Sequence, residues 1–176
     1  MDVQDQPIVN RVANSGLLTI DLEDYYPREE RMLLDLKPTL FQEMILREKD
    51  FRAWVKEHDW QQYADKHVAV TCTVEAIIPM WAYMLVLCKL QGVAKHAVVG
   101  TLQELDQSLF QQALADGLKL EELDGAKVVV KGCGDLPISA FAYGEVTRLL
   151  APIASSIMYG EPCSTVPVYK RPKQKA

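Results

Sequence analysis

Basic excess is the first thing missing. The 176 residues carry 19 Lys and Arg against 24 Asp and Glu, a net charge of −5. That excludes the broad cationic surface expected of a nucleic-acid binder. The only basic cluster is the tail, Lys170, Arg171, Lys173 and Lys175, which reads as a solvated terminus. A long hydrophobic run is missing too. The longest, from Ile77 to Cys88, has twelve residues and contains Pro79; it is too short to span a bilayer and suits a buried core helix. The start, Met1-Asp2-Val3-Gln4-Asp5-Gln6, is polar and acidic, unlike a signal peptide, so a cytoplasmic location with no membrane contact is expected. There is no Cys-x-x-Cys pair, no Gly-x-Gly-x-x-Gly and no P-loop. Zinc-ribbon, thioredoxin and dinucleotide chemistries therefore have no signature here. Neither Cys72 nor Cys133 is followed by five residues and an Arg, the spacing of a thiol phosphatase.

What is present is ordinary globular composition, 49% apolar and 24% charged, in a chain long enough for one well-filled core. Leu17–Leu22 and Met32–Leu36 read as short strands separated by Asp24-Tyr25-Tyr26-Pro27. Pro38 opens a helical stretch, and a second follows from about Lys49, with Phe51, Trp54 and Val55 at helical spacing. From His67 the pattern is regular. His67–Cys72, His96–Gly100, Lys127–Lys131 and Ser155–Tyr159 are apolar, β-branched runs, separated by helices over 79–90, 102–114 and 139–150. Strands too apolar for one wet face form parallel sheets covered by helices on both sides. The expected fold class is therefore α/β: three layers, a mostly parallel sheet of β-α-β units, and a more irregular N-terminal α+β part. One domain is expected over 1–176. It comprises the α+β part at 1–66, the β-α-β-α-β-α-β unit at 67–160, and a C-terminal loop and basic tail at 161–176. No internal repeat is evident in the residue order.

Three of the four cysteines, Cys72, Cys133 and Cys163, follow the first, third and fourth strands of that unit. Open α/β sheets bind ligands beyond the carboxyl ends of their strands. The common doubly wound order makes those three strands neighbours, ~4.8 Å apart. Short loops then bring three thiolates within reach of one ion, with Zn–S bonds of about 2.3 Å. Asp135, Glu161 and Glu75 are the nearest carboxylates, Glu75 suiting a helix start. The histidines are poor fourth ligands: His67 and His96 begin strands, and His58 precedes the unit, so all three read as surface or capping residues. Cys88, among Val86, Leu87 and Leu90, reads as core. The bland alternative for every thiol is packing, since free Cys often serves as a small apolar residue.

Ile8–Ala13, Ile20–Asp24, Lys131-Gly132-Cys133 and above all Gly160-Glu161-Pro162-Cys163-Ser164-Thr165-Val166-Pro167 resemble an uncharacterised bacterial family, domain of unknown function 2480, over roughly Ile8 to Arg171. The resemblance matches the family's Thr-Cys, Gly-Cys and Pro-Cys positions to Cys72, Cys133 and Cys163, and two polar blocks to Asn10, Arg11, Asp21 and Asp24. It implies no established activity. Members lie near iron–sulfur cluster assembly genes, which implies sulfur or metal handling with iron–sulfur assembly proteins as partners. Three readings follow. The first is a metal-binding protein holding zinc or an iron–sulfur cluster on Cys72, Cys133 and Cys163. The second is a thiol enzyme or sulfur carrier with Cys163 or Cys133 as nucleophile. The third is a structural or adaptor protein, a homo-oligomer with packing cysteines. No motif identifies a substrate.

Overall fold

The structure, a computed structural model, describes residues 16–132 and 134–172. The elements are β1 (Leu17–Asp21), β2 (Arg31–Asp35), α1 (Glu48–Glu57), β3 (His67–Thr71), α2 (Met80–Leu90), β4 (His96–Val99), α3 (Leu102–Gly117), β5 (Lys127–Lys131), α4 (Ala140–Leu150), β6 (Ser156–Glu161) and β7 (Ser164–Lys170). The class is α/β with mostly parallel strands. The single sheet expected from the sequence is, however, two sheets, β2-β3-β4 and β1-β5-β6-β7. The chain divides into two compact units. Residues 27–112 form one, and the residues before and after them form the other.

In the unit of residues 27–112 all three strands are parallel, with β3 in the centre. Val68, Ala69 and Val70 of β3 are fully buried, as a strand covered on both faces must be. On one face Val68 and Val70 pack with Ala82, Val86 and Leu90 of α2 and with Phe51 and Val55 of α1. Phe51 and Val55 stand four apart, one helical turn, so α1 buries one stripe. On the other face Ala69 and Val98 meet Leu105 and Leu109 of α3. This unit has the three expected layers. The helical stretch expected after Pro38 is only a 3-10 turn, Lys37–Thr39, and regular helix waits for Glu48.

In the other unit β1, β5 and β6 run parallel, and β7 closes the sheet antiparallel to β6. Val128, Val129, Val130 and Ile157 are buried, as are Ala142, Val146 and Leu150 of α4. β7 lies where a C-terminal loop and tail are expected from the sequence. It is joined to β6 by the two-residue turn Pro162-Cys163, with Glu161 paired to Ser164.

The two units repeat one another at an offset of sixty residues, a relation the residue order does not announce. Trp60–Tyr63 and Leu120–Leu123 are 3-10 turns; β3 and β5, α2 and α4, and β4 and β6 begin sixty residues apart. Without a gap, Val68, Val70, Ala82, Tyr83, Val86 and Leu90 fall on Val128, Val130, Ala142, Tyr143, Val146 and Leu150. The connecting hydrogen bonds repeat as well. Asp65 N–H donates to Val93 O, and Gly125 N–H to Ile153 O; Lys95 N–H donates to Lys66 O, and Ser155 N–H to Ala126 O. Asp65 and Gly125 share a positive φ, 59° and 69°. In each repeat an upstream strand that ends in Asp, with Leu next, pairs parallel with the first repeat strand: β2 (Asp35, then Leu36) with β3, and β1 (Asp21, then Leu22) with β5.

Candidate functional site

Two equivalent sheet edges present the polar residues that follow the strands. In the β1-β5-β6 sheet the strands end at Asp21, Lys131 and Glu161. The Lys131 ammonium lies 3.0 Å from Asp21 Oδ2 and 3.8 Å from Glu161 Oε1. Its hydrogen bond to Asp21, and then the nearby carboxylates, raise its pKa above the ordinary lysine value. Asp21 also accepts from Glu23 N–H, which shapes the turn after β1.

The chain leaving β5 is held by close contacts on both sides of position 133. Tyr143 Oη donates to Gly132 O at 2.9 Å, and a Cβ on Gly132 would stand 2.6 Å from that hydroxyl. Glu23 Oε1 accepts from Leu136 N–H, and a Cβ on Gly134 would stand 2.0 Å from the same carboxylate oxygen. A side chain at either place would push aside the Tyr143 hydroxyl or the Glu23 carboxylate and disturb these hydrogen bonds. Cys133 itself lies outside the described residues, as do Asn10 and Arg11. Cys163 is exposed at the tip of the β6–β7 turn. The segments that follow β5 and β6 therefore leave neighbouring strands at one edge. Asp135 and Asp24 are exposed.

Cys72 belongs to the other sheet. It follows β3, is half-buried, and its Sγ–H donates to Val74 O at 3.4 Å. Beside it Asp35, at the end of β2, accepts from the N–H groups of Lys37 and Thr73 and, at 2.5 Å, from the Thr73 hydroxyl. Burial pushes the Asp35 carboxyl up, but those hydrogen bonds outweigh it and hold its pKa below the usual value. The Tyr83 hydroxyl is pushed up by burial, then by Cys72 and Asp35. Tyr83 stands at the position of Tyr143, and Cys72 at that of Gly132, so the two edges are variants of one design. The expected adjacency of three cysteine-bearing strands thus holds for β5 and β6, while β3 is in the second sheet. Among the described residues no three His, Cys, Asp or Glu side chains are grouped as a metal site would need.

Two further expectations are corrected. Cys88 is exposed, not core, because α2 turns Ala82, Val86 and Leu90 inward and position 88 falls on the outer side. His67 is buried, not a surface or capping residue; its Nε2 lies 3.1 Å from Glu29 Oε2. His96 Nε2 meets Ser108 Oγ at 2.9 Å, and His58 Nε2 meets Tyr63 Oη at 3.0 Å. Tyr143, Glu23 and Lys131 are the site residues that sequence reasoning missed. The Gly-Cys-Gly triplet was the available signal, since two glycines around one residue call for close neighbours.

No helix among the described residues is long and apolar enough to cross a membrane. The family described as protein of unknown function (DUF2480) matches residues 6–171. No curated protein and no solved structure matches the chain.

Proposed function

We propose, for a chain that belongs to this family of unknown function, that it binds a thiophilic metal, as zinc or an iron–sulfur species, through Cys133 and Cys163. The observation that supports the reading is the parallel pairing of β5 with β6. It sends both cysteine-bearing segments from neighbouring strands, ~4.8 Å apart, to one edge. An exposed thiol at a turn tip suits a site that exchanges its metal, as in metal or cluster handling with iron–sulfur assembly proteins, better than a closed structural centre.

Full-length protein purified without air and without a histidine tag should carry about one metal site per chain. Thiolates must lose their protons to bind, so retention should weaken as pH falls. Cys133→Ser and Cys163→Ser should each abolish retention, because a hydroxyl is a poor ligand for a soft ion. Metal-free protein with reduced thiols would sink this reading. The exposure of Cys163 favours one alternative, a sulfur carrier that uses this thiol as nucleophile. Rapid, selective alkylation of Cys163 in metal-free protein would support it.

A further inference from the structure

A continuous apolar surface lies on the unit of residues 27–112, on the segments that follow β2 and β3 and on α2. Phe41, Met44, Ile45, Ile77, Met80 and Met84 are 41% to 76% exposed. They adjoin one another along the backbone. Phe41 bridges Ile45, Ile45 bridges Ile77, and Ile77 N–H donates to Met44 O at 3.0 Å. Met80 and Met84 continue the row from Ile77 along α2, on the side opposite the buried Ala82, Val86 and Leu90.

The fold does not require this surface, and the second repeat shows it. At the positions equivalent to Met80, Met84 and Cys88, α4 has Ala140, Gly144 and Arg148. The same helix on the same kind of sheet stands with small or charged outer residues. The methionines of α2 therefore serve something beyond folding.

We propose that this face is a self-association surface that seats the same face of a second copy of the chain. Six large side chains exposed to this extent present several hundred Å², close to the ~800 Å² that each partner contributes to a standard interface. No charged residue lies between Ala76 and Cys88, so a complementary surface must itself be uncharged and apolar. The rim carries both signs. The Arg47 guanidinium stacks 3.1 Å above the Phe41 ring, and Glu43 pairs with Lys37. A two-fold axis brings such a rim against itself without net repulsion. A chain of net charge −5 whose rim sets Glu43 among Arg47 and Lys37 is a poor match for an anionic lipid surface.

The test uses the full chain with thiols reduced, so that no disulfide links Cys88 or Cys163 between copies. Light scattering and sedimentation velocity across a dilution series should give twice the 19.8 kDa chain mass. Met80→Glu with Met84→Glu should yield a monomer of unchanged circular dichroism, with dimer affinity weakened by about a hundredfold or more. Val166→Glu with Val168→Glu, on the exposed β7 strand, should leave the dimer intact. A wild type that stays monomeric at every concentration would overturn the proposal. So would a dimer that survives the methionine substitutions or one that the β7 substitutions dissociate. A monomer that binds phosphatidylcholine vesicles through Met80 and Met84 would replace the second copy with a lipid surface. Metal content is read separately, so neither outcome bears on the thiol site.

Discussion

Glu29 joins Lys95 and His67 at the amino end of the β2-β3-β4 sheet. Its carboxylate accepts from the Lys95 ammonium and lies 3.1 Å from His67 Nε2. The Lys95 hydrogen bond first, then a backbone bond and the His67 bond, lower its pKa from the ordinary 4.5 to about 2. The His67 Nε2–H donates to this carboxylate, and the buried Nδ1 has no hydrogen-bond partner. The sign of the linkage follows from the direction of the shift. A carboxyl depressed in the folded state contributes stability above its unfolded pKa and loses it as pH falls through the folded one. Glu29→Gln keeps an acceptor for His67 and removes the charge that Lys95 needs. Urea unfolding should show the wild type more stable near neutral pH. The gap should close as pH falls from 4.5 to about 2, and salt should narrow it because the Glu29 side chain is one-third exposed. A gap that stays constant through that window would rule out the Glu29 charge as its source.

Helices α2 and α4 show what one position does in two contexts. Leu90 and Leu150 are equivalent, both close a helix and both are buried, at 1% and 0% exposure. Leu90→Ala and Leu150→Ala should each cost about 2–5 kcal/mol, the range for a core leucine that leaves a cavity. Equivalent packing should keep the two costs within about 1 kcal/mol of each other, measured by chemical denaturation of each single variant. A large difference would show that the repeat is one of topology and not of packing. The elements themselves were legible because parallel strands buried on both faces read as apolar runs, and Lys127–Lys131 matches its strand residue for residue. The exposure of Cys88 was not legible, since α2 is apolar on every side and its periodicity names no outer face. β7 was hidden by Pro167, which interrupts a strand pattern and is tolerated because β7 is an edge. The repeat stayed hidden because its identities are scattered singly among residues that differ: Val68, Ala82 and Leu90 recur as Val128, Ala142 and Leu150, but Tyr63 and Ala97 correspond to Leu123 and Ile157. At the candidate site, the placement of Cys133 and Cys163 after adjacent strands was legible. The clamp by Tyr143 and Glu23 was not, because it depends on which strands meet.

The chain order of the two units sets unequal costs for building them. In residues 27–112, β2 pairs with β3 across a separation of 36 residues, Arg31 with His67. In the other unit β1 pairs with β5 across 110 residues, Leu17 with Lys127, because the whole first repeat lies between them. Loop-closure entropy grows as the logarithm of length, so the longer closure costs about 1 kcal/mol more from an unfolded chain. Once residues 27–112 have folded, the segment between β1 and β5 is no longer a flexible loop, and the second closure becomes cheaper. The first repeat should therefore form first and help the second to assemble. Pulse-labelled hydrogen exchange during refolding should protect the amides of Val68, Ala69 and Val70 before those of Val128, Val129 and Val130. These two triplets are near-ideal reporters, because they occupy equivalent central strands and are equally buried in the folded protein. Simultaneous protection of both would mean that the two units fold as one cooperative body. Protection of β5 before β3 would mean that closure length does not set the order, and that contacts formed by α4 with its own sheet do.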